Sequence, residues 1–173
     1  TITPVVCCSA FTLAGVDMVL DMICELMPSP KEADDEICMD SDGNPVELIC
    51  ADDQPLAAFV FKTIADPFVG KMSYVKVLSG KLTADQIPVN TTTGQPERLG
   101  KIIFVKGKKQ EDTPQIGAGD IGAVTKLAGT NTGDMLCDPS RPLKCEPMEF
   151  PAPCLSIAFK PKAKGDEGKI AQA

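Results

Sequence analysis

Histidine and tryptophan are absent from the 173 residues, and tyrosine occurs once. Without imidazole the chain lacks the commonest general base and any Ser-His or Cys-His nucleophile pair. The eight cysteines contain no CxxC pair, so the ligand spacing of a structural metal site is missing as well. No apolar run is long enough to span a bilayer. Positive charge is also in short supply. The 17 Lys and Arg against 24 Asp and Glu give a net charge of -7 and a pI of about 4.6. A free-standing nucleic-acid binder is usually basic, so neither DNA binding nor that role in general is expected of the whole chain. A local basic stripe can still meet phosphates.

What is present suffices for a core. Apolar residues make up 43% and aromatics only 5%, so the core must rest on Val, Ile, Leu, Ala and Met. The cysteines have mostly apolar neighbours: Cys7 and Cys8 follow Pro4-Val5-Val6, and Cys24 lies inside an apolar helical pattern. No secretory signal precedes them. These features predict buried, reduced thiols of a cytosolic protein rather than a disulfide framework.

Periodicity divides the chain. Ile2 to Cys8 is a short apolar run of the buried-strand kind, followed by a loop at Ser9-Ala10-Phe11-Thr12. From Gly15, the residues Val16, Val19, Leu20, Ile23, Leu26 and Met27 share one helical face, opposite Asp17, Asp21 and Glu25. Pro28-Ser29-Pro30 ends that helix. A strand, a loop and a one-sided helix make the end of an α/β unit. An acidic stretch follows, in which the Asp42-Gly43 pair between Ile37-Cys38-Met39 and Val46-Glu47-Leu48-Ile49 predicts a small hairpin. The spacing Asp40, Asp42, Asn44 resembles the start of a calcium loop. Pro45 stands where that loop needs Gly, so a solvated turn is expected instead.

From Gln54 to Lys144 the chain is dense in strand signals: Ala58–Ile64, Met72–Leu78, Gln86–Asn90, Leu99–Val105, Asp112–Ile116, Ile121–Val124 and Asp134–Cys137. Short strands separated by Gly-containing turns argue for a closed barrel or sandwich. Beyond, Pro147–Pro153 reads as extended, Leu155–Phe159 as a strand, and Asp166 onward as a helix start. Thr1 opens the chain without an initiator Met, and the whole reads as an internal piece of a longer protein.

The order of short phrases resembles a known family. Phe61-Lys62-Thr63-Ile64-Ala65-Asp66-Pro67-Phe68-Val69-Gly70-Lys71, then Val77-Leu78-Ser79-Gly80-Lys81-Leu82, looks like the opening of domain II in elongation factor G. Ala118-Gly119-Asp120-Ile121 and Thr132-Gly133-Asp134-Met135-Leu136-Cys137 match later phrases of that family. Pro147-Met148-Glu149-Phe150-Pro151-Ala152-Pro153 resembles the passage into its third domain, and Cys8-Ser9-Ala10-Phe11 its last guanine-recognition motif.

The resemblance implies a mainly β fold: a closed Greek-key-type β-barrel flanked by a strand-helix remnant of an α/β G domain and the start of a further domain. The implied boundaries are 1–30 for the end of the G domain, 31–53 for an acidic linker, 54–146 for domain II and 147–173 for the start of domain III. The implied function is part of a cytoplasmic, ribosome-associated translational GTPase. This piece would couple the G domain to later domains and dock on small-subunit ribosomal RNA. Ribosomal-protection and release-type relatives share the same barrel, and a stand-alone β-barrel binding module is the other alternative.

GTP or GDP with Mg would belong to the longer protein. No GxxxxGK[ST] phosphate loop occurs in this sequence, and phosphates need such a nest of backbone N–H groups. GTP hydrolysis is therefore not expected of this piece. Residues Lys106 to Lys109 stand where elongation factor G often carries His, which points to a divergent relative.

Several residues are singled out. Ser9, Ala10 and Phe11 would face guanine in the longer protein. Arg98, Lys101, Lys106, Lys108 and Lys109 surround one predicted hairpin and are candidates for RNA phosphates, which position a protein without reading bases. Glu111 and Asp112 partly neutralise them. Asp120 and Asp134, each after a Gly, read as turn caps rather than paired catalytic carboxylates. Lys62 and Lys71 flank the Asp66-Pro67-Phe68 turn and face either a neighbouring domain or RNA.

Overall fold

Gly15 leads into helix α1, Val16–Leu26, and Asp17 lies in its first turn, where a carboxylate favours the helix dipole. The predicted span is thus observed. None of its residues is buried. The computed structural model describes residues 3–33, 36–66, 69–158 and 160. Among them no helix is long and apolar enough to cross a membrane. Residues 3–8 run without strand pairing, so the strand expected for Ile2 to Cys8 is not observed among the described residues, Ile2 lying outside them. An apolar run becomes a strand only beside a partner that takes its backbone hydrogen bonds.

Strands β1, Glu36–Met39, and β2, Pro45–Leu48, form the expected hairpin, with Met39 opposite Pro45. Its turn is held by Asp40, whose carboxylate accepts the N–H groups of Asp42 and Asn44 at 2.9 and 2.8 Å. Next come the long strands β3, Ala57–Asp66, and β4, Gly70–Ser79. Short strands follow: β5 Leu82–Thr83, β6 Val89–Asn90, β7 Gln95–Pro96, β8 Ile102–Lys106, β9 Lys109–Asp112 and β10 Gln115–Ile116. The last three are β11 Ile121–Thr125, β12 Met135–Cys137 and β13 Lys144–Cys145. The single strand expected over Asp112–Ile116 is two, β9 and β10. Pro114 lies between them and has no N–H to give a ladder. Only Val89 and Asn90 of the expected Gln86–Asn90 strand are paired. Residues 155–158 form no strand. Phe159 and the expected helix from Asp166 lie outside the described residues.

Eight strands form one antiparallel sheet in the order β7-β6-β12-β3-β4-β11-β8-β9. The mainly β fold is therefore observed, but the expected closed barrel is not. The sheet is not closed, since β7 and β9 remain its edges, and β5 pairs with β10 in a separate two-stranded ribbon. Leu82 and Ile116 of that ribbon are fully buried in the same core as Val60, Val75, Val77, Val124 and Leu136. The ribbon thus covers the core without joining the ladder. Gly80 makes the turn into it at φ 72, where a Cβ would lie 2.5 Å from the Gln54 carbonyl oxygen. Only glycine suits both constraints.

The cysteines overturn the expectation of buried, reduced thiols. Cys7, Cys8, Cys24 and Cys154 are exposed. Cys38 and Cys145 form a disulfide, because β13 pairs with β1 and sets the two residues opposite each other. Cys137 alone is a buried thiol.

Candidate functional site

The basic residues lie along hairpin β8–β9. Ile102, Ile103 and the half-buried Phe104 and Val105 anchor β8 on the core, while every residue of β9 is exposed. The connection has two residues, Gly107 and Lys108, with Lys106 opposite Lys109. Gly107 takes φ 62, the left-handed conformation that tight hairpin turns need.

The five candidates are not one patch. Lys101, at the base, gives its ammonium to Asp112 at 2.7 Å, and Lys106 pairs with Glu111 at 2.8 Å. Lys108 and Lys109 are exposed at the tip and form no ion pair among the described residues. Arg98 is exposed before the base. The five-residue rise from Lys101 to Lys106 is roughly 16 Å. The structure therefore separates a neutralised shaft from a cationic tip. Solvent-exposed pairs such as these contribute only about 0–1 kcal/mol to stability.

The hairpin touches the Asp66 turn that carries the family phrase. Gln110 donates to Asp66 Oδ2 at 3.4 Å, and Asp66 Oδ1 accepts the Val69 N–H at 2.9 Å. Lys71 reaches Asn131 at 3.5 Å, and Lys62 is exposed on β3. Pro67 and Phe68 lie outside the described residues.

Asp120 and Asp134 behave as turn caps. Asp120 Oδ1 accepts the Ile121 N–H at 2.8 Å. Asp134 Oδ2 accepts from the Asn131 N–H at 2.8 Å and from Asn90 Nδ2 at 2.9 Å. The second bond joins a buried network that sequence reasoning missed. Asn90 also donates to Thr130, and Glu97 accepts from Thr130 and from the Gly129 N–H. No local spacing links Asn90, Glu97 and Asp134. Only the pairing of β6 with β12 brings them together.

At the amino end, the Ser9 N–H donates to the Ala14 carbonyl at 2.9 Å, and Ser9 Oγ accepts the Thr12 N–H at 3.3 Å. The loop is thus a closed turn with Phe11 fully exposed at its tip. The Ala10 and Phe11 N–H groups have no acceptor among the described residues. Two such amides on a hydrogen-bonded turn suit a hydrogen-bond acceptor.

Fold and surface together define an antiparallel β domain that presents a cationic hairpin tip. Residues 55–139 match the family model for elongation factor G domain 2, a match that implies a family of translational GTPases. A crystal structure of a Thermus thermophilus protein is similar across 91% of the chain, with 28% identity and a TM-score of 0.62. The chain spans 21% of the length of that protein. The resemblance to elongation factor G drawn from the motifs is therefore confirmed, and the matched segment lies within the expected barrel span.

Proposed function

We propose that this chain is the docking and coupling module of a cytoplasmic, ribosome-associated translational GTPase, and that it meets small-subunit ribosomal RNA through the tip of hairpin β8–β9. One observation carries this reading. Lys108 and Lys109 stand exposed, with no ion pair among the described residues, on a short, core-anchored hairpin within the segment that matches elongation factor G domain 2. Two ammonium groups at fixed spacing suit two phosphates and read no bases. In the longer protein, GTP or GDP with Mg would be held by a G domain, with Ser9, Ala10 and Phe11 on the guanine side. The nucleotide supplies the state to be signalled. The residues here provide guanine-side amides, RNA contacts, and a sheet rigid enough to carry movement onward. GTP hydrolysis is not assigned to this chain, because its sequence contains no phosphate loop.

The test is sedimentation of the 173-residue chain with purified small ribosomal subunits. We expect co-sedimentation at low salt that weakens steeply as salt rises. Absence of binding at low salt would refute the docking role.

A further inference from the structure

The Cys38–Cys145 bond encloses a sequence separation of 107 residues, and so contains the whole of 55–139. It ties the hairpin that precedes the β domain to the strand that leaves it. Its two sulfurs have unlike surroundings. Cys38 is 1% exposed, packed with Leu48, Leu78, Met135 and Leu143. Cys145 is half-buried and lines a groove of about 880 Å³ whose walls include Phe59, Ile121 and Met148. Three carboxylates, Glu36, Glu146 and Glu149, line the same groove with one cation, Lys76. Lys76 is already paired with Glu36 at 3.1 Å. Glu146 and Glu149 form no ion pair among the described residues, so the groove is acidic. Cys137 belongs to the same apolar cluster. Burial pushes its thiol up to about 11, so it stays protonated near neutral pH and does not scramble the bond.

We propose that the Cys38–Cys145 pair is a thiol–disulfide exchange site, entered from this acidic groove at Cys145 and selective for neutral or cationic thiols over anionic ones. The thiolate of the reagent attacks Cys145 Sγ, forming a mixed disulfide as the bond to Cys38 breaks. Cys38 Sγ leaves with the electron pair and takes a proton from water. A second reagent thiolate then displaces Cys145, which is protonated in turn. The protein gains two electrons and two protons, and two reagent thiols become one disulfide. A small-molecule disulfide reverses both exchanges. Opening the bond frees β13 from β1, so that the segment leaving the domain moves independently of the hairpin preceding it. This inference does not depend on ribosome docking.

The test compares cysteamine, a cationic thiol, with 3-mercaptopropionate, an anionic one, at matched thiolate concentration on the folded 173-residue chain. Mass spectrometry follows the mixed disulfide, and alkylation after unfolding counts thiols. Six are expected in the oxidised form and all eight after reduction. We expect the first adduct on Cys145, and cysteamine to react about fivefold faster at low salt, with the preference collapsing near about 1 M salt. The double variant Glu146→Gln/Glu149→Gln should remove most of that preference. Reduction should speed amide exchange in β1 and β13 by about tenfold or more while β3 and β4 stay protected. Four results would overturn the proposal: reaction only in denaturant, a first adduct on Cys38, an anionic thiol reacting as fast, or eight free thiols that cystamine, the disulfide of cysteamine, cannot pair.

Discussion

Helix α1 and strand β4 are both amphipathic, yet they meet opposite environments. Leu20, Ile23 and Leu26 of α1 stay more than half exposed, while Met72, Val75 and Val77 of β4 are at most 1% exposed. The difference lies in neighbours. Strand β4 is flanked by β3 and β11; its Val75 and Val77 share a core with Leu82 and Ile116 of the β5–β10 ribbon, and its Met72 packs with Ile103 and Ala123. The apolar stripe of α1 meets no second layer among the described residues. Periodicity therefore specifies which face can be buried, and tertiary contact decides whether it is. An 11-residue helix is close to the limit of what local propensity sustains in water, so its order depends on whatever covers it.

The comparison can be broken from the core side. Leu136→Ala removes a fully buried side chain from the centre of the sheet and should cost about 3 kcal/mol in urea denaturation. Asn90→Ala cuts the network beneath the 129–134 loop and leaves the Asp134 carboxylate a donor short. It should cost about 2 kcal/mol in the same assay. Ile23→Ala on α1 should change stability by no more than about 0.5 kcal/mol. A loss as large as that of Leu136→Ala would show that the helix face is buried in solution.

A smaller effect concerns acid. The Asp52 carboxyl is held below its ordinary range, first by the Ala118 N–H at 2.9 Å and then by Lys81. A depressed folded-state value means its stabilisation is present at neutral pH and is lost as pH falls below about 4. Asp52→Asn should therefore lower the melting temperature slightly at pH 7. The gap from wild type should narrow as pH falls below about 4, as scanning calorimetry across that range would show. A gap independent of pH would indicate that the carboxylate's charge is not involved.

The central strands were largely legible in the sequence. Ala58–Ile64 foreshadows β3 as an apolar run, and Met72–Leu78 foreshadows β4 by its alternation. The Asp42-Gly43 pair foreshadowed the β1–β2 turn, since only a few residues suit that conformation. The two-residue strands β5, β7 and β13 left no periodicity to read, and β5 and β13 depend on distant partners. The disulfide was hidden for the same reason, as its two cysteines are joined by the register of β13 on β1. Closure was expected from the strand spacing and from the family resemblance, whereas the separate β5–β10 ribbon is set by side-chain packing that no motif encodes. At the candidate site, the positive residues were legible and their division was not. Glu111 and Asp112 neutralise the shaft only because β9 folds back along β8.

That division between shaft and tip supports the docking account, and a salt titration tests it most directly. Binding of the chain to small ribosomal subunits is measured across salt concentrations for wild type, Lys108→Ala/Lys109→Ala and Lys101→Ala/Lys106→Ala. The account predicts that the tip variant loses affinity and that its log-log salt slope falls by about 1 to 2, the equivalent of two phosphate contacts, while the shaft variant keeps a nearly wild-type slope. An unchanged slope in the tip variant would contradict it.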